Sequence, residues 1–316
     1  MKKQASKNIL LTGGAGFIGS HLIEALLKNN YQVLLLKKKS NSLWRVKNYI
    51  GKISTYNIEE VSSLDFIFKK HKVNTIIHLA GKYIKFHRSN IDILEMNKSN
   101  IDFPKQLLEV AVKNNVLQFI NTGTFFEYKL YGIISEESKI EPYDYYAETK
   151  IAFEKILKQY TQNKKIKAIT LKLFSPYGEK DNKKIIPLII ESLITKKEIS
   201  VTKGDQELCF TYVGDIVSAY LKAIKFLDSK AYLQYENFNI GADQSFSIKQ
   251  VIKEIENISQ KKLKVKFGAV NNKKDEVIKI KCNLTKAKKM LKWYPKISLE
   301  EGLKKTYNYY NILLTK

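Results

Sequence analysis

The stretch Asn8-Ile9-Leu10-Leu11-Thr12-Gly13-Gly14-Ala15-Gly16-Phe17-Ile18-Gly19 decides the fold. Its opening is short, apolar and followed at once by glycines, which is how a buried strand ends. From Phe17 onward the apolar positions Ile18, Leu22, Ala25 and Leu26 recur at helical spacing. Glycines 13, 16 and 19 fall in the turn between the two. Gly13 permits the tight turn, Gly16 lets a pyrophosphate approach the backbone, and Gly19 lets helix and strand pack closely. Free N–H groups at the helix N-terminus then face the pyrophosphate. The same spacing would describe any glycine-rich turn. With a strand before it and a helix after it, the stretch reads as a dinucleotide-binding loop, with Gly13, Gly16, Phe17, Ile18 and Gly19 against the cofactor.

Working outward, residues 31–36 form the next strand, with nothing polar from Val33 to Leu36, as in a strand buried on both faces of a parallel sheet. Further strands are expected over 75–79, 118–121, 166–174 and 237–240, separated by helices that include 91–114 and 145–160. Strands alternating with helices indicate an α/β protein with a doubly wound parallel sheet. After Phe174 the rhythm breaks at Ser175-Pro176 and Gly178. A dinucleotide-binding domain is therefore expected over 1–174, with 212–241 returning to it. A smaller C-terminal α/β substrate domain takes 175–211 and 242–316.

The 316 residues carry 55 Lys+Arg against 31 Asp+Glu, a net charge of +24. Only Arg45 and Arg88 are arginines, so the excess is lysine spread along the chain. Nucleic-acid readers rely on arginine forks, and no basic stripe is evident, so a lysine-rich solvated surface is expected and nucleic acid is not a predicted partner. No apolar run approaches the ~18 residues that span a bilayer, so no membrane association is expected. The basic start is read as leading into the first strand, not as a signal peptide. Cys209 and Cys282 lack CxxC spacing, which points away from a disulfide scaffold and towards a cytoplasmic protein. His21, His71 and His87 show no metal-ligand spacing, and no metal is predicted.

The end of the second strand separates two cofactors. A carboxylate there holds the ribose 2′-OH of NAD, whereas the 2′-phosphate of NADP needs cations or hydroxyls. This chain has Lys37-Lys38-Lys39-Ser40-Asn41 and no acid nearby, which predicts NADP, with NAD as the alternative. A solvated lysine run in a lysine-rich chain would look the same, so the missing acid carries more weight than the lysines do.

Tyr146 and Lys150 form a YxxxK pair. At i and i+4 on a helix, phenol and ammonium share one face. One other such pair exists, Tyr160/Lys164, but it runs into Thr161-Gln162-Asn163 and is given no role. Tyr146 lies 22 residues after Thr124, at the end of a buried strand and so at the edge of the sheet where ligands bind.

These motifs, in this order, resemble the extended short-chain dehydrogenase/reductases of the NAD-dependent epimerase/dehydratase family, which carry a Rossmann domain and modify nucleotide sugars. The resemblance rests on Thr12–Gly19, on His78-Leu79-Ala80, and on Thr124, Tyr146 and Lys150 as a Thr–Tyr–Lys triad. It extends through Asn97, Pro176-Tyr177-Gly178, Tyr212-Val213-Gly214-Asp215 and Leu291-Lys292-Trp293-Tyr294-Pro295, nearly the whole chain. It implies that Tyr146 exchanges a proton with a sugar oxygen, its pKa lowered by Lys150 and the cofactor. Thr124 would hydrogen-bond that oxygen and Lys150 would also hold the nicotinamide ribose. The lesser alternative for Thr124 is a strand-end hydroxyl serving the backbone. Further implied cofactor contacts are Lys37, Lys38, Ser40, Asn57, Ile58, Leu79, Ala80, Gly81, Asn97 and Pro176. Implied substrate contacts are Tyr83, Thr124, Phe125, Ser175 and Lys183. The resemblance also implies a homodimer through helices 91–114 and 145–160.

Three reactions compete. Dehydratases of this kind place Asp-Glu straight after the catalytic Thr, where this chain has Phe125-Phe126, with Glu127 one position further on. Epimerases retain NAD and usually have an acid after the second strand. A ketoreductase consuming NADPH fits the lysines, and the chain is similar in detail to CDP-abequose and CDP-paratose synthase-like reductases, which implies reduction of a nucleotide-linked 4-keto-6-deoxyhexose. The NAD-dependent 4-epimerase is the alternative. A redox-silent NADP sensor would be expected to lack Tyr146 or Lys150. The chain departs from the family at Glu207-Leu208-Cys209-Phe210, at Ser175 and at Asn271-Asn272-Lys273-Lys274, where Arg, Asn and Arg are usual.

Overall fold

The computed structural model describes residues 7–58, 64–84, 89–163, 166–181, 184–229, 234–270 and 278–315. Lys183, Lys164, His87, Arg88 and Asn271 to Lys274 lie outside them. In chain order the elements begin with β1 (Asn8–Thr12), α1 (Phe17–Lys28), β2 (Gln32–Lys37), β3 (Ser54–Asn57), α2 (Leu64–His71), β4 (Thr75–His78), α3 (Asn90–Asn97), α4 (Phe103–Lys113) and β5 (Gln118–Thr124). They continue with β6 (Tyr131–Ile134), α5 (Tyr145–Asn163), β7 (Lys167–Leu173), β8 (Pro176–Tyr177), α6 (Ile185–Ile194), β9 (Ile199–Ser200), β10 (Glu207–Leu208), β11 (Thr211–Tyr212) and α7 (Val213–Asp228). The last are β12 (Tyr235–Ile240), β13 (Phe246–Ser247), α8 (Ile248–Ser259), β14 (Val265–Lys266), β15 (Lys279–Cys282) and α9 (Leu299–Thr315).

The chain divides into two compact units. The first is Met1–Tyr128, Ile140–Lys172 and Ala219–Phe238, and the second is Lys129–Lys139, Leu173–Ser218 and Asn239–Lys316. The segment that returns to the first unit is thus 219–238, and residues 129–139 group with the second.

Seven strands form the main sheet, in the order β12-β7-β5-β4-β1-β2-β3. The pairings of β1 with β2 and β4, of β2 with β3 and of β4 with β5 are parallel. This is the doubly wound α/β architecture expected from the sequence. The chain runs outward from β1 through β2 to β3, then returns to β1's other side for β4. The crevice beyond the carboxyl ends of β1 and β4 is therefore the topological switch point, where open α/β sheets bind ligands. Thr12, in register with both Leu36 and His78, stands at that point. The unbroken run Val33 to Leu36 is buried, as a strand covered on both faces must be. One side of the sheet packs Leu10, Leu34, Ile76 and Phe119 against Leu107, Leu108 and Phe153 from the helices. Full burial of each such side chain contributes ~1.5–3 kcal/mol relative to exposure.

The single helix expected over 91–114 is interrupted. Between α3 and α4 lies one π-turn, Lys98–Asp102, followed by Pro104 in the first turn of α4. Pro104 has no N–H to return to the carbonyl of residue 100, so the regular ladder cannot pass through this point. The side chain of Asn100 turns inward instead. Its Oδ1 accepts the Lys82 N–H at 2.7 Å, and its Nδ2 donates to the Lys82 carbonyl at 2.9 Å and to Thr149 Oγ1 at 3.0 Å.

The second unit packs α6, α8 and α9 around Ile186, Ile189, Ile190, Val251, Ile255 and Leu303. It carries a four-stranded sheet, β13-β10-β15-β6. A capping box between Ser247 and Gln250 starts α8 by satisfying two otherwise unpaired N–H groups.

Candidate active site

The glycine loop is shaped by close approaches that only glycine allows. Gly13 has φ +73°, and a Cβ there would lie 2.6 Å from the Ala80 nitrogen. A Cβ on Gly19 would lie 2.3 Å from the Gly13 carbonyl oxygen. Gly16 is open by comparison, with only the Gly13 oxygen near its Cβ position, at 3.1 Å. Gly16 is also the N-cap of α1, which has no side-chain cap and no acidic residue in its first turn. An uncapped helix N-terminus beside an open glycine fits a pyrophosphate. The loop thus fits the nicotinamide dinucleotide implied by the sequence.

Across the switch point, β4 is tied to β1. Leu79 N–H donates to the Thr12 carbonyl at 3.1 Å and Ala80 N–H to Thr12 Oγ1 at 3.3 Å, while Thr12 Oγ1 lies 2.8 Å from His78 Nδ1. Burial and then the Lys150 charge push the His78 pKa well down, so its ring is neutral. His78 anchors the loop and faces no acid–base task. Leu79 and Ala80 are half-buried and Gly81 is exposed.

At the end of β2, Lys37 is in register with Asn57, and Ile58 N–H donates to the Lys37 carbonyl at 2.8 Å. The half-buried Lys37 turns its Nζ onto the Lys38 carbonyl at 3.1 Å. Asn41 Oδ1 accepts the Lys38 N–H at 3.1 Å, and Asn41 N–H donates to the Lys38 carbonyl at 3.0 Å. This turn leaves Lys38, Lys39 and Ser40 exposed.

Tyr146 and Lys150 occupy the first turns of α5, where Asp144 Oδ1 accepts the Ala147 N–H at 3.0 Å. Lys150 is 3% exposed. Burial pulls its pKa down to about 8, against Glu127 and Glu154, which hold it up. Burial pushes the half-buried Tyr146 phenol up, and the charges of Glu127 and Asp144 and the neighbouring Tyr83 add to this.

Thr124 ends β5 and caps the turn Phe125–Glu127: its Oγ1 accepts the Phe126 N–H at 3.3 Å, and Glu127 Oε1 accepts the Thr124 N–H at 3.0 Å. Thr124 thus serves the backbone as a strand-end hydroxyl, and a hydroxyl that accepts from the backbone still has its proton to donate. Phe125 is buried, with its ring 4.3 Å from that of Phe126. Tyr83 stands edge-on to Tyr146, with ring centroids 5.1 Å apart.

Asn97 Oδ1 accepts the Tyr145 hydroxyl at 2.8 Å. The first unit thus brings the glycine loop, the β2 end, the β4 end, Thr124, Tyr146 and Lys150 onto the carboxyl edge of one sheet. Ser175 and Pro176 belong to the second unit, where Ser175 takes a left-handed φ of +34° and its carbonyl accepts the Thr211 N–H at 3.1 Å. Lys184 Nζ donates to the Pro176 carbonyl at 3.2 Å.

Sequence reasoning assigned no role to Glu127, Glu154 or Lys172, which meet as a buried ionic cluster, or to Asn100. Two signals were present: Thr124-Phe125-Phe126-Glu127 has capping-box spacing, and Glu154 stands four residues after Lys150. Among the described residues no group of three or more His, Cys, Asp or Glu is placed to hold a metal ion, and no helix is long and apolar enough to cross a membrane.

The sequence and the fold are matched by known proteins. The model of the NAD dependent epimerase/dehydratase family matches residues 9–241. The chain belongs to the NAD-dependent epimerase/dehydratase family. It is similar to the CDP-abequose synthase of Salmonella muenchen, 30% identical over 304 residues that cover 95% of this chain and 97% of that protein. It is 27% identical to the dTDP-4-dehydro-6-deoxyglucose reductase of Escherichia coli, covering 95% and 97%. The crystal structure of UDP-glucuronic acid 4-epimerase from Bacillus cereus, in complex with UDP-glucuronic acid and NAD, superposes with a TM-score of 0.87 at 26% identity, covering 97% of this chain and 99% of that one. The chain is accordingly an enzyme of the epimerase/dehydratase family, and its Rossmann unit is the one that family uses for its nicotinamide cofactor.

Proposed function

We propose that the protein is an NADPH-dependent reductase of a nucleotide-diphosphate-linked 4-keto-6-deoxyhexose, CDP-linked by its similarity to CDP-abequose synthase. One observation carries the choice of cofactor and, through it, of reaction. No Asp or Glu occurs between Glu24 and Glu59, and the carboxyl end of β2 presents Lys37 to Lys39 with Ser40 and Asn41. A carboxylate would repel a 2′-phosphate; lysines and hydroxyls attract it. The similarity to a CDP-abequose synthase and to a 4-keto sugar reductase supports the same choice.

A nicotinamide cofactor held at this sheet edge would supply the hydride for the sugar ketone. Tyr146 gives its phenolic proton to the ketone oxygen, and hydride plus proton turn the ketone into an alcohol. A positioned acid of this kind contributes ~10²–10⁴-fold. Thr124 donates its hydroxyl proton to the same oxygen as a hydrogen bond, and Lys150 places an ammonium charge on the face of α5 that carries Tyr146. The uncapped N-terminus of α1 and the residues at the ends of β2, β3 and β4 hold the dinucleotide, with Asn97 and Pro176 as further contacts. Tyr83, Phe125, Ser175 and Lys183 serve the sugar nucleotide. Dehydration is disfavoured because Glu127 is 1% exposed and engages both oxygens, one with Thr124 N–H and one with Lys172.

An NAD-dependent nucleotide-sugar 4-epimerase is the second reading, favoured by the superposition on an NAD-containing 4-epimerase. Ile91 and Leu94 stand exposed on α3, which supports the homodimer expected through the helices around it. The test is NADPH oxidation with CDP- and dTDP-linked 4-keto-6-deoxy sugars, together with identification by mass of the copurified cofactor. Turnover that falls at least a hundredfold in Tyr146→Phe is expected. No turnover, undiminished turnover in that variant, or tightly held NAD with interconversion of UDP-sugars would overturn the reductase.

A further inference from the structure

Tyr146, Lys150 and Glu154 recur every four residues along α5 and so form one stripe on that helix. Lys172 on β7 links the end of this stripe to the turn that follows Thr124: its Nζ lies 3.5 Å from Glu154 Oε2 and 2.9 Å from Glu127 Oε2. The side chains of Glu127, Glu154 and Lys172 are 1%, 6% and 3% exposed. Glu127 Oε1 accepts the Thr124 N–H at 3.0 Å. Lys158 Nζ pairs with Glu154 Oε1 at 3.0 Å, and Lys172 Nζ also lies 4.7 Å over the Tyr128 ring. In this cluster, among the described residues, two buried ammonium groups, Lys150 and Lys172, stand with two buried carboxylates, Glu127 and Glu154. Among the described residues no carboxylate pairs directly with Lys150.

We propose that Glu127 is a positioning residue: its buried carboxylate fixes the backbone at Thr124 and supplies the counter-charge for the Lys150 ammonium, so that one side chain couples all three members of the triad. The proposal rests on the triad assigned above. Glu154 is matched by two lysines, Lys172 and Lys158. Glu127 has only a share of Lys172, and its remaining negative charge is left to act on Lys150. A lone ammonium at this depth would be driven towards its neutral form, and an opposite charge nearby opposes that. Glu127 leads the charged groups that hold Lys150 up, ahead of Glu154, and leads those that hold the Tyr146 phenol up, ahead of Asp144 and Tyr83. His78, from β4, feels the Lys150 charge. Burial and Glu154 push the Glu127 carboxyl up, and Lys172 opposes them.

Removing the carboxylate lowers both Lys150 and Tyr146, so both effects move the alkaline limb to lower pH. The direct readout is cofactor binding, which depends on Lys150 and needs no sugar. NADPH is titrated by fluorescence from pH 6 to 10 into wild type, Glu127→Gln, Glu127→Asp and Lys150→Met. The wild-type affinity is expected to fall with a midpoint near pH 8. The midpoint is expected about one pH unit lower in Glu127→Gln, with most of that shift recovered in Glu127→Asp. The pH dependence should vanish in Lys150→Met.

A Gln retains an oxygen for the Thr124 N–H. If that variant still fails to fold, Glu127→Gln/Lys172→Met leaves no unmatched buried ammonium at position 172, and the same downward shift is expected of it. An unshifted midpoint in whichever of the two folds would overturn the proposal, as would persistence of the pH dependence in Lys150→Met. A shifted midpoint in a protein that reduces no 4-keto sugar would overturn the reductase and leave the role of Glu127 standing.

Discussion

Tyr83 and Tyr146 meet edge to face, with ring centroids 5.1 Å apart and planes at 75°. Tyr83 arrives from the loop after β4, is 48% exposed, and hydrogen-bonds Asp144 just ahead of α5. One exposed ring therefore both steadies the Tyr146 phenol and ties the start of its helix to the β4 end.

Loss of the ring and loss of the hydroxyl should separate. An edge-to-face pair contributes ~0.5–1.5 kcal/mol beyond its buried area. Tyr83→Ala is expected to lower kcat about threefold to tenfold, and Tyr83→Phe, which keeps the ring and loses the bond to Asp144, by less. Steady-state kinetics of the two variants check this. Equal losses would show that the hydroxyl, not the ring, positions Tyr146.

The features legible in the sequence were those written over a few consecutive residues. Glycines 13, 16 and 19, the run Val33 to Leu36 and the i, i+4 pair of Tyr146 and Lys150 each report a local geometry, and together they placed the sheet and its carboxyl edge. The ionic cluster was not legible, because Glu127, Glu154 and Lys172 come from three elements and become neighbours only when α5 packs against the sheet in which β5 and β7 lie side by side. Asn100 was missed for a related reason. Asn97 and Asn100 both lie in an apparently continuous helical stretch, and the π-turn ahead of Pro104 decides which of them turns inward. The rise that burial and the Glu127 charge impose on the Tyr146 phenol was not legible either, because both are properties of the packed structure.

Lys150 should leave a mark on stability. It titrates at about 8 in the folded chain, against ~10.4 when unfolded. Below about pH 8 both states hold the proton and Lys150 adds no slope. Between about 8 and 10.4 the unfolded chain binds more protons, so this residue makes stability rise with pH. From pH 7 to 9.5 the gain is about 2 kcal/mol. Buried tyrosines act oppositely near the top of the window, so the measure is the difference between wild type and Lys150→Met in urea unfolding at the two pH values. That difference should move in favour of wild type on going from pH 7 to 9.5. A constant difference would mean that Lys150 stays charged in the fold well above pH 8.

The lysines at the end of β2 are not equivalent, and this sharpens the cofactor prediction. Lys37 is half-buried with its Nζ turned onto the Lys38 carbonyl, whereas Lys38 is exposed and has its backbone held on both sides by Asn41. An ammonium already tethered to the backbone is less available to a phosphate than one on a fixed backbone with a free side chain. Lys38 is therefore the residue expected to meet the 2′-phosphate. Lys38→Glu places there the carboxylate that NAD sites use and NADP sites exclude. It is expected to weaken NADPH binding at least tenfold, about 1.4 kcal/mol, while NADH affinity holds or improves. Lys37→Ala is expected to change the ratio of the two affinities less. Isothermal titration of both cofactors into the two variants decides the matter. Equal affinities for NADPH and NADH in the wild type would remove the basis for NADP altogether.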